Sequence, residues 1–464
     1  MITDITIQNF RSIQKDTIHL EPLTVIVGAN STGKSNLVKC LDFISDIVQY
    51  GIHDAVYKRG GFNEILPKNL KKLTGLEIYF KINIELDAPD NWPKEFGKLR
   101  ASYELGIEQS RNGKLKIKRE SLELNSIILL SFFLQKRWNS KENKDKIDLE
   151  FSKLDLYRNS FLRIHRIKLN KLGVDTNINF ENEEYELFIN WIGLKGIFDR
   201  QKDDKDNIQL KKLLANLVNA VRPGGKNEEL PILSIDRVLF GISAHLRKLV
   251  KELDSISRYD LFINELRQEQ VISNSAKVSI TGDNIPSVVK TFVSEQKEAW
   301  NRISRTMSNI SPFFLAVHSK SLRAGKEYLV FKEVFNGRPI ESWEASDGTL
   351  RALAILLCIE SHKEGSTILI EEPEHGLHPW AVKDLMNHIK ETISLKDIQL
   401  IITTHSQQVL ECIEFNELLI TERDENGTIY TTIPKIVPNY KNITMGEIGE
   451  LWTKGLLKGV PTSY

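Results

Sequence analysis

The sequence predicts an α/β protein: a mixed sheet with helices, assembled from an N-terminal and a C-terminal part around a mostly helical insertion. Three observations predict it. The stretch Gly28-Ala29-Asn30-Ser31-Thr32-Gly33-Lys34-Ser35 follows an apolar run, Leu23 to Val27, and precedes an amphipathic run with Leu37, Leu41, Ile44 and Val48 on one helical face. Two further apolar runs, at 367–370 and 400–402, end in charged or polar residues. Between these ends the strand-like alternation fades and helical periodicities replace it.

The bulk composition narrows the class. Apolar residues make up 41% and charged residues 27%, as in ordinary globular proteins. The net charge of +1 gives no general reason to expect nucleic acid, so any such contact must be local. Cys40, Cys358 and Cys412 are isolated, lack metal spacing and read as reduced core residues. The first residues show no basic, apolar leader pattern, and no apolar run reaches membrane length. The expectation is a cytoplasmic protein with no membrane partner.

Taken in order, residues 2–10 alternate as a strand, Asn9-Phe10-Arg11-Ser12 turns, and a second strand is expected near 17–20. Arg11 reads either as a neighbour of the glycine loop or as an exposed turn residue. That loop fits the P-loop pattern. Its glycines let backbone N–H groups close round a phosphate, and the following helix N-terminus adds partial positive charge. Asn30, Ser31, Thr32, Gly33, Lys34, Ser35 and Asn36 are therefore the candidate nucleotide-binding residues. Lys34 would reach the β- and γ-phosphates, and Ser35 would place its hydroxyl on Mg²⁺. Alternation at 76–86, 102–107 and 114–124, with an Asn112-Gly113 turn, predicts more strands. Arg111, Lys114, Lys116, Lys118 and Arg119 carry basic charge without acid between them. They suit either a phosphate backbone or a solvated hairpin face, and the second reading is preferred. Helices are expected at 185–197, 210–221 and 238–271, and a longer one at 285–310. Strands are expected at 314–317 and 328–334, and a turn at Asn336-Gly337. The chain thus divides into 1–128, 129–281 and 282–464.

Three motifs close the sequence. Ser346-Asp347-Gly348 opens an apolar helix and offers a capped N-terminus to an anion. The run Thr367-Ile368-Leu369-Ile370 ends in Glu371-Glu372. A P-loop site needs one carboxylate for Mg²⁺ and one for the attacking water, and neighbours on a strand diverge; Glu371 is assigned to the metal and Glu372 to the water. The run Leu400-Ile401-Ile402-Thr403-Thr404 ends in His405, placed to donate to a γ-phosphate. Glu374, His375 and His378 do not match a familiar zinc spacing.

Together these motifs resemble the ABC-type ATPase heads of the RecF, SMC and OLD group. The resemblance rests on Asn9 to Ser12, on Gly28, Asn30 and Gly33 to Asn36, and on Ser346 with Gly348, Ile368 to Glu372, and His405. The Glu-Glu-Pro-Glu-x-x-Leu-His-Pro and Thr-Thr-His-Ser stretches look most like the OLD branch and the ATPases of bacterial anti-phage systems. It implies ATP and Mg²⁺ as cofactors, with catalysis by Lys34, Glu372 and His405. It also implies an ATP site completed by Ser346 and Gly348 of a second subunit, hence at least a dimer. The signature keeps only Ser346 and Gly348 of the usual Leu-Ser-Gly-Gly. The stretch after His405 is too short for the Toprim nuclease of OLD proteins. The implied role is an ATPase without its own nuclease, similar to Septu-type (PtuA) or PARIS-type (AriA) subunits that act with a separate effector. The alternatives are a RecF- or SMC-like DNA-repair ATPase that binds DNA, and a nucleotide switch that barely hydrolyses; both glutamates argue against the switch.

Overall fold

A computed structural model describes residues 1–68, 76–86, 99–125, 161–166, 244–335, 338–436, 446–457 and 459. The helices expected at 185–197 and 210–221 and the Asn336-Gly337 turn lie outside them. The chain forms two compact units. One comprises Met1, Leu20–Asp42 and Ser255–Tyr464, the other Ile2–His19 and Phe43–Asp254.

The second unit is an antiparallel sheet of β1 (Ile2–Phe10), β2 (Ile13–His19), β4 (Glu77–Leu86), β5 (Leu99–Gln109), β6 (Leu115–Asn125) and β7 (Phe161–Arg166), ordered β2-β1-β4-β5-β6-β7. Strand β4 buries every second residue, as its alternating sequence requires. Phe10, Phe43 and Phe80 fill the inner face, with ring centroids 5.6–5.9 Å apart. Such ring pairs add about 0.5–1.5 kcal/mol each beyond the area they bury. Arg11 belongs to this unit and ties its turn down through its N–H, which donates to the Ile65 carbonyl at 2.7 Å.

The first unit holds β3 (Leu23–Gly28), β8 (Ser257–Tyr259), β13 (Thr367–Glu371), β14 (Gln399–Thr404), β15 (Leu418–Asp424) and β16 (Gly427–Thr432) in the order β16-β15-β3-β14-β13-β8. All neighbours are parallel except β16. Strands β3 and β14 are buried at every residue, which suits a parallel sheet covered on both faces. The strand before the glycine loop therefore joins strands from the far end of the chain, not the alternating strands beside it in sequence. A smaller antiparallel sheet groups β9 (Gln270–Val271), β10 (Phe314–Ser321), β11 (Lys326–Glu333) and β12 (Ile340–Glu341).

The helices used below are α1 (Lys34–Tyr57), α2 (Ala244–Asp254), α3 (Ile285–Glu295), α4 (Lys297–Ile310), α5 (Asp347–Glu360) and α6 (Pro379–Lys396). Helix α1 outruns the expected end at Val48, crossing Gly51 with φ 84°. The helix expected over 285–310 breaks at Gln296, whose φ and ψ are −116° and 54°. Its apolar stripe stays in phase across the break (Val288 and Phe292, then Ala299, Ile303 and Met307), so periodicity does not show it. The helix expected over 238–271 is cut more severely, and α2 gives way to β8, a short helix Ile263–Arg267 and β9. Pairing with β13 overrides local periodicity there and brings residues 257–259 into the P-loop sheet. Helix α5 is apolar on nearly all sides and is buried accordingly from Ala352 to Glu360. Its last residue, Glu360, is 1% exposed and accepts two bonds of 2.8 Å from Arg302 on α4. Lys396 on α6 adds an ion pair at 2.9 Å.

In β6 a register shift falls between the pairs Gly106–Arg119 and Ile107–Ile117, leaving Lys118 as the extra residue. Lys114, Lys116 and Lys118, which strict strand alternation would place on one face, are split there. Arg119 pairs with Glu77 at 2.7 Å and Lys118 with Glu108 at 3.5 Å. Two of the five basic residues are thereby paired within their own sheet, which favours the hairpin-face reading.

Candidate nucleotide site

The parallel sheet presents the carboxyl ends of β3, β14 and β13 side by side, where open α/β sheets place their ligands. From β3 the chain enters the glycine loop with Ser31 at φ 66° and Gly33 at φ 113°. Left-handed residues of this kind are what anion-receiving loops are built from, and the Thr32 N–H here turns to the Ala29 carbonyl at 3.4 Å. Asn30 is exposed at the loop's outer edge, and the Asn36 N–H donates to the Gly33 carbonyl at 2.8 Å as α1 begins.

Lys34 is 8% exposed and folds back over the loop, donating to the carbonyls of Gly28 and Ala29, each at 2.9 Å. Burial pushes its ammonium below the ordinary lysine range, opposed by the charges of Glu372 and Glu371. Those two carbonyls hold the place of the phosphate oxygens a lysine at this position can serve.

The loop is lashed from outside by residues with no motif of their own. Thr32 and Thr421 place their hydroxyl oxygens 2.8 Å apart, and Thr421 Oγ1 donates to Val27 at 3.1 Å. Thr428 donates to the Thr32 carbonyl at 2.5 Å, Tyr430 to that of Gly33 at 2.9 Å and Arg423 to that of Ser31 at 3.2 Å. A Cβ at Gly28 would lie 2.2 Å from Thr421 Oγ1 and 2.5 Å from its carbonyl, so the close approach of β15 requires glycine there.

Glu371 ends β13 and accepts a hydrogen bond from the Ser35 hydroxyl. A serine hydroxyl and a carboxylate are hard oxygen donors, the set that suits Mg²⁺. Glu371 also faces Arg258 at 3.2 Å. Glu372 diverges from Glu371 for a reason other than strand alternation: it lies beyond the strand with φ 47°, its N–H on the Thr403 carbonyl at 2.9 Å. Arg351, in the first turns of α5, donates to the carbonyls of Glu372 at 3.0 Å and Glu371 at 3.3 Å. These bonds hold the chain where its conformation is least favoured.

His405 follows β14, with Nε2 3.6 Å from Glu372 Oε1, beyond hydrogen-bond reach. Burial and the Lys34 charge lower its pKa, while Glu372 pulls it up. At pH 7 the ring is neutral, with one N–H to donate. Glu374, considered in sequence only as a metal ligand, fixes the turn before that ring. Its Oε1 accepts the Thr404 hydroxyl at 2.5 Å and the His405 N–H at 3.2 Å. Burial raises the pKa of Glu374. Among the described residues no group of three or more His, Cys, Asp or Glu could hold a metal.

Ser346 caps α5, its Oγ accepting the Thr349 N–H at 3.1 Å. Gly348 packs on the turn after β13, where an added Cβ would lie 2.5 Å from the Gly376 carbonyl. The structure thus joins Lys34, Ser35, Glu371, Glu372 and His405 in one cluster, and ties Ser346 and Gly348 to their own helix and to Gly376. Arg258 and the residues of β15 and β16 carried no signal in the sequence, because strand pairing alone brings them in, and Arg351 enters from helix α5.

The family profile described as "AAA domain, putative AbiEii toxin, Type IV TA system" matches residues 23–411. The Old nuclease of Escherichia phage P2 is 22% identical over 457 residues, covering 95% of this chain. The chain spans 63% of that relative's length. An SMC head bound to the C-terminal winged-helix domain of ScpA aligns at a TM-score of 0.45 and 12% identity, covering 94% of this chain and 99% of that one. The SMC head domain from Thermotoga maritima aligns at 0.37 and 11%, covering 93% and 98%. The fold assignment rests on the strand order given above. Among the described residues no helix is long and apolar enough to cross a membrane. The chain belongs to the AAA-domain family named here, whose profile spans most of its length.

Proposed function

We propose that this AAA-domain family member binds and hydrolyses ATP as a subunit of a bacterial anti-phage defence system, where it senses and scaffolds, and controls a separate effector, a nuclease. The observation that carries the catalytic half is the convergence of Lys34, Ser35, Glu371, Glu372 and His405 at the ends of three adjacent parallel strands. The defence half is supported by the Glu371-to-Pro379 and Thr403-to-Ser406 stretches, which resemble OLD-like subunits of the Septu and PARIS kinds.

In this reading Asn30 to Asn36 wrap the phosphates and Lys34 leaves its two carbonyls for the β- and γ-phosphates. Ser35 and Glu371 would hold Mg²⁺, which supplies positive charge for the developing phosphoryl oxygens. Glu372 orients the attacking water and takes its proton. His405 donates its N–H to the γ-phosphate. Ser346 and Gly348 act on the γ-phosphate of a second subunit, so the working form is a homo-oligomer, at least a dimer. Residues 1–128 and 282–464 supply the ATPase, and 129–281 form an inserted arm whose end returns to the ATPase sheet.

The test is the ATPase rate and mass of the purified chain with and without DNA, with Glu372→Gln as control. Hydrolysis that DNA leaves unchanged, in a stable oligomer, supports the sensor–scaffold reading. Strong stimulation by DNA would replace it with a DNA-repair role.

A further inference from the structure

Both oxygens of Glu371 are engaged. Oε2 takes the Ser35 hydroxyl, and Oε1 lies 3.2 Å from Nη2 of Arg258. The same nitrogen donates to Asp260 Oδ1 at 2.9 Å. The arrangement follows from β8, which runs parallel to β13 with Arg258 opposite Leu369 and Tyr259 opposite Ile370. Alternation puts Arg258 and Asp260 on the face that carries Glu371. It turns Tyr259 to the other face, where its hydroxyl meets His362 Nε2 at 2.7 Å in the core. The Arg258 and Glu371 side chains are 22% and 25% exposed, so their attraction is only partly screened. Asp260 is more open, at 39%. One guanidinium nitrogen is thus shared between a carboxylate at the nucleotide site and a second carboxylate beside it.

A guanidinium and a divalent cation on one carboxylate repel each other, and both draw on the same single negative charge. We propose that Arg258 is a built-in competitor for Glu371: it neutralises that carboxylate until a divalent cation arrives and is then handed to Asp260. Arg258 is a positioning residue in this scheme, and Asp260 is its receiver. The inference rests on reading Ser35 and Glu371 as the metal site.

The test uses the full chain with ATP, with Glu372→Gln to stop turnover, and follows Mn²⁺ binding by the loss of its free electron-spin-resonance signal beyond the loss that the same ATP causes without protein. Arg258→Met removes the charge and keeps most of the volume; Mn²⁺ should bind about tenfold more tightly. Asp260→Asn removes the receiver, and Mn²⁺ should bind about tenfold more weakly. The double variant should follow Arg258→Met, because without the arginine there is nothing to hand over. Opposite signs for the two single variants, with unchanged thermal midpoints, support the competitor. An Arg258→Met protein that binds Mn²⁺ as well as or less well than its parent overturns it, as does Asp260→Asn without effect. The second variant decides the matter should Arg258→Met fail to fold. A parent that binds ATP but no Mn²⁺ overturns the metal site itself, and the competitor with it.

Discussion

The two six-stranded sheets solve opposite problems. The antiparallel one pairs strands that are close in sequence for most of its width, alternates buried and solvated residues and settles its charges across strands, as Lys81 does with Glu104 at 2.9 Å. The parallel-cored one draws its strands from residues 23–28, 257–259, 367–371, 399–404 and 418–432, and leaves charge at its strand ends. Lys34 there rests on carbonyls, and Glu372 has a histidine only at 3.6 Å. Charge left without a close ionic partner beside a phosphate-shaped loop is charge available to a ligand. The comparison teaches that the working sheet is the one poorer in charge: its strands carry Arg258, Glu371, Glu422, Arg423 and Asp424 and no lysine, with Lys34 and Glu372 just beyond strand ends. Among the described residues Glu371 is answered by Arg258 at 3.2 Å, while Lys34 and Glu372 beside it have no ion pair that close.

The sharpest way to break this contrast is Glu372→Gln. It should lower the hydrolysis rate by about 10³-fold, as loss of a general base does, while ATP still binds and the closed oligomer accumulates in light scattering. A wild-type rate would remove Glu372 from its role. Next, Lys34→Ala should weaken ATP binding by about 100-fold or more in calorimetry, through lost charge-assisted bonds to phosphate. Gly28→Ala forces β15 from the glycine loop and should cost about 1–3 kcal/mol, read as a fall of several degrees in thermal midpoint.

A smaller effect follows from His405, whose pKa is depressed by burial and by Lys34. A histidine with a lowered folded pKa contributes stability above its unfolded value of 6.5 and loses it as pH falls through the folded value. Urea unfolding at about pH 7.5 and about pH 5.5 should therefore show wild type losing more stability than His405→Gln on acidification. The smallest effect belongs to the other sheet. Arg119→Ala removes a half-exposed ion pair to Glu77 and should leave ATP binding within about twofold and stability within about 1 kcal/mol. A large loss of ATP binding there would erase the distinction between the sheets.

Much of the site is legible in the sequence because its chemistry sits at the ends of apolar runs. Gly28 to Ser35, Glu371, Glu372 and His405 each follow such a run, and strand termini are where a buried segment surfaces. The ordering of the sheets is not legible. Leu23 to Val27 lies among alternating strands, and only its uninterrupted apolarity marks it as belonging with β13 and β14. Residues whose roles come through pairing partners were missed for the same reason. Arg258 follows a helix-like stretch, and Thr421 and Tyr430 are ordinary strand residues until β15 meets β3. Glu372 diverges from Glu371 through a left-handed backbone that Arg351 supports, where strand alternation alone was the expected reason.

The lashing of the glycine loop by β15 and β16 carries a consequence for how the protein is made. Thr32 and Thr421 are 389 positions apart, and the Tyr430 bond to Gly33 spans 397. At about 5–20 residues per second, a ribosome finishes the outer half of the cradle about 20–80 seconds after the inner half has been synthesised. Throughout that interval the nascent chain displays the phosphate-binding motif without the strands that shape it. A message cut short before residue 418 would yield a product with the glycine loop but without the bonds that Thr421, Thr428 and Tyr430 make to it.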